Sequence, residues 1–287
     1  MNPIIQFFIN VVTLNGTFNW KLVQQFFFST PILQGLLLTV LVAVFSQIAG
    51  SLIGLLLYFM RRSRVRALRV LSNGYIWFFR GTPLIVQVLA FAAFFSQTGL
   101  ASPSRLRSIQ ISEPLGFVYE IFLDSLLALL LALSFNEGAY MAEIVRAGID
   151  AIDVGQIEAA KSLGMTYGQA MRRIVLPQAL RVIVPPLGNE FNSMLKNTAF
   201  GIVVSFPELL TAADQIGRPR FASLELYFVA AIWFLFLTTI WTVIQAQIER
   251  RFNASNIDPA LLARKPWWQR MFGFEDRKTA EPAPAHA

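Results

Sequence analysis

The chain contains no cysteine and one histidine, His286, next to its last residue. These absences remove a disulfide framework, a thiolate nucleophile and any metal centre built from histidine or cysteine ligands. Charge is scarce as well: Asp, Glu, Lys and Arg make up 14% of 287 residues, against about a quarter in ordinary soluble domains. No Gly-Lys dipeptide occurs, so the chain lacks the P-loop, in which glycines and a lysine cradle nucleotide phosphates. What is present is apolar, with 55% hydrophobic residues, 26 phenylalanines and a mean hydropathy of +0.54. A chain of this composition has the bilayer as its solvent. The net charge of +7 does not point to nucleic acid, because the cations lie in short runs beside apolar stretches, where they act as topology signals.

A membrane-crossing helix needs about 20 apolar residues, because in lipid each backbone amide must be paired within its own segment. Five spans are predicted: about Gly35–Phe59, Tyr75–Phe95, Ile121–Met141, Leu180–Leu210 and Leu224–Ile248. The second carries Arg80 near its start, where a long side chain can snorkel to the interface. In the fourth, Pro185 and Pro186 are expected to kink or break the helix, since proline removes an amide donor and clashes with the preceding turn. The opening "MNPIIQFFIN" has no basic start and the first cation is Lys21, so no cleavable signal peptide is expected.

Orientation follows from the cations. "RRSRVRALR" (residues 61–69) follows the first span, Arg146, Lys161, Arg172, Arg173 and Arg181 follow the third, and a basic set begins at Arg250. Placing these inside gives an all-α polytopic protein of five transmembrane helices, with the N-terminus outside and the C-terminus inside. Residues 1–30 form an extracytoplasmic or interfacial segment, 31–250 the membrane domain and 251–287 a cytoplasmic tail. The Phe-rich "FFFST" reads as an interfacial anchor, Thr82-Pro83 as a helix-start device, and the tail's tryptophans beside basic residues as a surface anchor followed by disorder.

The longest internal loop, about 150–178, has a legible local code. Asp153 with Gln156 has the form of an N-terminal cap, Gly164 suits a left-handed stop, Thr166 with Gln169 forms a capping box, and Pro177 is expected to close the second helix. Two short helices should meet at a glycine corner. The first sets Ile157, Ala160 and Leu163 on one side, and it is too short and polar to span, so it should lie along the membrane surface.

The run Glu158-Ala159-Ala160, then Gly164, then Ile174, Leu176 and Pro177, resembles the EAA loop of bacterial ABC-importer permeases, and every position of that pattern is filled. "FRGTPLIVQ" (79–87), "NEGAYMAEIVRAGI" (136–149) and "LPQALRVIVPPLGNEF" (176–191) resemble the branch of that family for polar amino acids and opines. The resemblance covers roughly residues 30–250. It implies a MetI-like permease fold in the bacterial inner membrane and a second permease subunit, identical or a sister chain. It further implies a cytoplasmic ATPase dimer that binds ATP and Mg²⁺, so that this chain holds no cofactor, and an external solute-binding protein that delivers an amino acid. The loop would dock on the ATPase and transmit its closure. Lys196-Asn197-Thr198-Ala199-Phe200 departs from the family's Lys-Asp-Thr-Ser-Leu by a lost hydroxyl and an added ring.

Ionisable groups at membrane depth face a cavity or a partner. Asn136, Glu137, Glu190, Lys196 and Thr198 are therefore substrate-path candidates, the alternative being that Glu137 and Lys196 pair with each other or with neighbouring helices and lock the bundle. Other readings are a permease for a small polar solute such as ectoine or an opine, and a secondary transporter, whose internal repeat with paired broken helices is not evident.

Overall fold

The computed structural model describes residues 18–98 and 115–253, so the tail anchor and most of the N-terminal segment lie outside the described residues. Among the described residues all regular structure is helical. The helices are α1 (Trp20–Phe27), α2 (Thr30–Arg61), α3 (Arg66–Gly81), α4 (Leu84–Thr98), α5 (Leu115–Asp150), α6 (Val154–Ser162), α7 (Tyr167–Ala170), α8 (Leu176–Asn197), α9 (Leu209–Gly217) and α10 (Ser223–Asn253). Three of them, α2, α5 and α10, are long and apolar enough to cross a membrane, and the count rises to five if α3–α4 and the segment from α7 to α9 are each taken as one bent span.

α2 and α5 form the central pair. Gly50 and Gly54 lie one turn apart on the face of α2 that meets α5. A Cβ at Gly50 would stand 2.6 Å from Glu137 Cβ, and one at Gly54 would strike Met141. Gly138 returns the approach from α5, beneath Ile53. Small residues four apart let two backbones close up where lipid offers no hydrophobic drive for association. Above this seam Val42 and Ala43 of α2, Val88 of α4, Leu129 and Leu133 of α5 and Met194 of α8 share one buried cluster with Phe206.

The second predicted span is not one helix. α3 and α4 meet at 108° across Thr82-Pro83. Thr82 is extended (φ −108°, ψ 142°), the conformation that a following proline imposes by crowding the α region. Pro83 has no amide hydrogen for the carbonyl of Phe79 four residues back. Two side chains take its place: Gln87 Nε2 donates to Phe79 O at 3.0 Å and Asn136 Nδ2 donates to the same oxygen at 3.0 Å. Gln87 Nε2 also reaches Thr82 O at 3.1 Å and Thr82 Oγ1 at 2.8 Å. The corner is thus a break whose polar atoms are satisfied inside the protein. Thr82-Pro83 does start a helix, as the sequence indicates.

The fourth span also differs from expectation. The chain stays helical from Tyr167 to Val204, through Pro185 and Pro186, and turns by 45° only before α9. At the proline pair α10 braces α8: Trp241 Nε1 donates to Gly188 O at 2.7 Å and Gln245 Nε2 to Pro185 O at 3.3 Å. The break lies at Ser205, which is left-handed (φ 55°), after a 3₁₀ turn over Thr198–Val204. Pro177 does not close a helix either. It occupies the first turn of α8, where its missing donor matters little, and a π turn over Met171–Val175 shifts the hydrogen-bond ladder before it, with Leu176 N bonding Met171 O.

Candidate functional site

Two places combine unusual exposure or polarity with defined geometry. The first is the corner between α6 and α7. Asp153 caps α6, its carboxylate accepting from Gly155 N at 2.7 Å. α6 ends with Gly164 at φ +77°. Gly164 N bonds Lys161 O at 2.9 Å and Met165 N bonds Ala160 O at 3.1 Å, the paired closure of a Schellman motif, which requires a residue tolerant of the left-handed region. Thr166 and Gln169 then make both bonds of the capping box, Gln169 N to Thr166 Oγ1 at 3.4 Å and Thr166 N to Gln169 Oε1 at 2.8 Å.

The helix so fixed is poorly buried. Ala160 is its one buried residue, turned toward α7 and the π turn that follow it. Glu158, Ala159 and Gly164 are exposed, Ile174 is half-buried, and Leu176 and Pro177 are exposed at the start of α8. The expected apolar face is covered only in part: Ala160 is buried and Ile157 half-buried, but Leu163 is 83% exposed, and Val154, outside that face, is 66% exposed. A nine-residue helix is short of the length at which isolated helices hold in water, about 12 residues or more. Caps at both ends and the packing of Ala160 hold it in place, and its outer face is left free.

The second place is a cavity of about 560 Å³ between the α3–α4 corner, the middle of α5 and the middle of α8. Asn136, Glu137 and Glu190 line it together with Arg80, Tyr140, Ser193 and Asn197. Glu137 is 4% exposed, and its Oε1 accepts from Gln47 Nε2 of α2 at 2.9 Å. The Arg80 guanidinium lies over the Tyr140 ring, 5.3 Å from its centroid. Arg80, Tyr140 and Glu190 also line a second cavity of about 480 Å³ that runs on to Glu143 and Arg146 near the C-terminal end of α5. The two cavities share Arg80, Tyr140 and Glu190 as lining residues.

Two of the predicted path residues stand elsewhere. Lys196 is exposed and is not among the residues lining this cavity. Thr198 is fully buried, with its hydroxyl bonded to Leu195 O at 2.8 Å. Among the described residues no ion pair joins Glu137 to Lys196; Glu137 is bonded instead to Gln47 of the neighbouring helix α2, which the bundle-locking alternative also allows. Three features were not singled out in the sequence: the role of Arg80 in the cavity wall, the Gln47 partner of Glu137, and the glycine pair Gly50/Gly54. Of these, the glycine spacing within an apolar run is the one signal that sequence alone carries.

The family described as "Binding-protein-dependent transport system inner membrane component" matches residues 49–254. The arginine transport system permease protein ArgU of Corynebacterium glutamicum is 38% identical over 256 residues, covering 87% of this chain and 77% of its own. The L-cystine transport system permease protein TcyB of Bacillus subtilis is 33% identical over 244 residues, 84% of this chain and 94% of its own. A solved amino acid ABC transporter, crystallised with histidines, superposes with a TM-score of 0.65 at 35% identity, over 77% of this chain and 94% of its own.

Proposed function

Since the chain belongs to the binding-protein-dependent transport system inner membrane components, we propose that it is the permease subunit of an ATP-driven amino-acid importer. It sits in the inner membrane, is not itself an enzyme, and works with a separate ATPase and a solute-binding protein. It makes and breaks no bond in its substrate. ATP and Mg²⁺ are held by the ATPase, and the substrate is a polar amino acid.

The observation that carries the reading is α6, a helix capped at both ends that follows the C-terminal end of α5 and whose outer face the described residues leave uncovered. Such a helix has the form of a handle for a partner. In this mechanism two permease subunits, the same chain or a sister, each seat α6 in a cleft of an ATPase. Glu158 meets a cation there, Ala159 and the turn at Gly164 allow close approach, Ala160 fixes the helix to its own loop, and Ile174, Leu176 and Pro177 set how the loop enters α8. Closure on ATP draws the two handles together. The cavity lined by Asn136, Glu137, Glu190 and Arg80 then opens alternately to the two faces of the membrane, and its polar groups replace part of the water shed by a zwitterion.

The test is ATP hydrolysis stimulated by the binding protein in vesicles, comparing wild type with Glu158→Lys and Gly164→Asp, with ATPase association read by copurification. Both variants are expected to lose stimulation or the bound ATPase while the membrane subunit still inserts. Normal stimulation in both would reduce the loop to a connector and overturn the handle.

A further inference from the structure

The "RRSRVRALR" stretch reads in sequence as a topology signal, yet its first two arginines are engaged in the structure. Arg61 Nη1 donates to Glu143 Oε1, across the cytoplasmic ends of α2 and α5. The other oxygen of the same carboxylate accepts from Arg146, one turn further along α5, at 2.9 Å from Nε and 2.8 Å from Nη2. Arg146 continues to Asp150 at 3.1 Å, and Asp150 stands 3.9 Å from Arg62. Five charged groups thus make one network, and Glu143 is its node: one oxygen faces α2 and the other faces the last turns of α5.

The position of this network matters more than its strength. Half-exposed pairs of this kind contribute little to static stability. However, α5 ends at Asp150, and three residues lead from it to α6, with Ala151 N held by Ala147 O at 3.0 Å and Ile152 N by Ile149 O at 3.2 Å. A displacement of α6 therefore reaches α8 through the packing of Ala160 on α7 and the π turn, and it reaches the turn that carries Arg146 and Asp150 through this three-residue link. From there it passes in two ways. The glycine seam at Gly50, Gly54 and Gly138 binds α2 to the middle of α5 by contact, and Glu143 binds the end of α2 by charge. Beyond Arg61 the chain turns into α3, which carries Arg80 and the corner at the cavity.

We propose that Glu143, bridging Arg61 of α2 and Arg146 of α5, is the positioning residue that transmits movement of the coupling helix α6 to α2 and the α3–α4 corner. The inference rests on reading α6 as the ATPase handle. Without the carboxylate, Arg61 and Arg146 lose their common anion and repel, so the end of α2 no longer follows α5. The groups are partly open to solvent and salt screens such charges over about 8 Å at physiological ionic strength, so the transmission is also sensitive to ionic strength.

The experiment uses the whole complex in vesicles, with the binding protein and a mixture of the twenty amino acids on its side. It reads the ratio of stimulated to unstimulated ATP hydrolysis over a series of KCl concentrations. In Glu143→Gln the ratio is expected to fall about fivefold, the low end for coupling between two sites, while the ATPase still copurifies in wild-type amount. Arg61→Gln should give the same fall, and the double variant should be no worse than either single, because both remove one interaction. The salt response of the wild-type ratio should be absent from all three. Wild-type ratios and salt response in both single variants would overturn the proposal. So would additive losses, or loss of the bound ATPase from either variant, which would make the network a brace of the loop. Glu158→Lys separates the two readings: if it abolishes stimulation while Glu143→Gln keeps the wild-type ratio, the handle stands and the role proposed for Glu143 falls. No stimulation in wild type defeats the importer reading itself.

Discussion

At Glu208 a carboxylate with no exposed surface is held by the start of a helix. Its two oxygens accept from Leu210 N at 2.9 Å, Thr211 N at 2.7 Å and Thr211 Oγ1 at 2.8 Å. Gly35 and Gly201 crowd the same residue, since a Cβ on Gly35 would stand 3.0 Å from Glu208 backbone atoms and one on Gly201 2.8 Å from its Cγ. The negative group answers the unpaired amides at the N-terminus of α9, and it does so at the break after Ser205. Glu208→Ala is expected to cost about 1–3 kcal/mol, from the lost cap and the amides left unpaired. Glu208→Gln, which keeps the shape and one acceptor, should cost less. Thermal unfolding of the purified protein in nanodiscs checks both, and equal melting temperatures for Glu208→Ala and wild type would show that the cap contributes nothing. Residues whose partners are local were legible in the sequence: Asp153, Gly164, Thr166 and Gln169 each act within one turn of their own position. Glu208 was not, because a glutamate after Ser-Phe-Pro reads as a loop until its surroundings are closed by α2. Glu137 was legible as a polar group at membrane depth, but its partner Gln47, 90 residues away, was not.

Among the elements, the prolines show what sequence does and does not fix. Pro83, Pro177 and the Pro185-Pro186 pair carry the same chemical defect, a missing donor and a ring against the preceding turn. At Pro83 the defect becomes a 108° corner, because Gln87 and Asn136 are placed to take the orphaned Phe79 carbonyl. At Pro177 a π turn absorbs it, and at Pro185-Pro186 the helix runs on, braced from α10 by Trp241 and Gln245. Which outcome follows depends on donors elsewhere in the chain, so a reading of the local sequence named the sites of disturbance and misplaced the breaks. The corner yields a test at its own scale. Gln87→Leu leaves the Phe79 carbonyl with Asn136 alone and removes the side-chain donor to the Thr82 carbonyl, and an unpaired polar group buried away from water costs about 1–3 kcal/mol. Gln87→Leu should therefore melt lower than wild type, Asn136→Leu should melt lower by a smaller amount, and the double variant should lose more than the sum, because the last donor to Phe79 O is then gone. Melting temperatures in nanodiscs decide it. A double variant with strictly additive effects would mean that the two side chains do not share the corner.

At the scale of the whole molecule, the membrane class and helical architecture were readable from composition and hydropathy, whereas span integrity was not. Orientation was inferred from cations alone, and the absence of cysteine makes it directly measurable. Two exposed residues mark the opposite ends. Leu163, 83% exposed, ends α6. Phe221, fully exposed and left-handed at φ 53°, lies in the turn before α10. With the basic runs inside, α6 faces the cytoplasm and the turn at Phe221 faces outward. A single thiol from Phe221→Cys should react with a membrane-impermeant maleimide in intact spheroplasts. One from Leu163→Cys should react only after the cytoplasmic face is opened, and addition of the ATPase should then protect it, because the handle becomes covered. Labelling of Leu163→Cys in sealed spheroplasts would invert the topology and remove α6 from the reach of any cytoplasmic ATPase. Correct sidedness without protection by the ATPase would leave the topology in place and move the docking surface off the exposed end of α6.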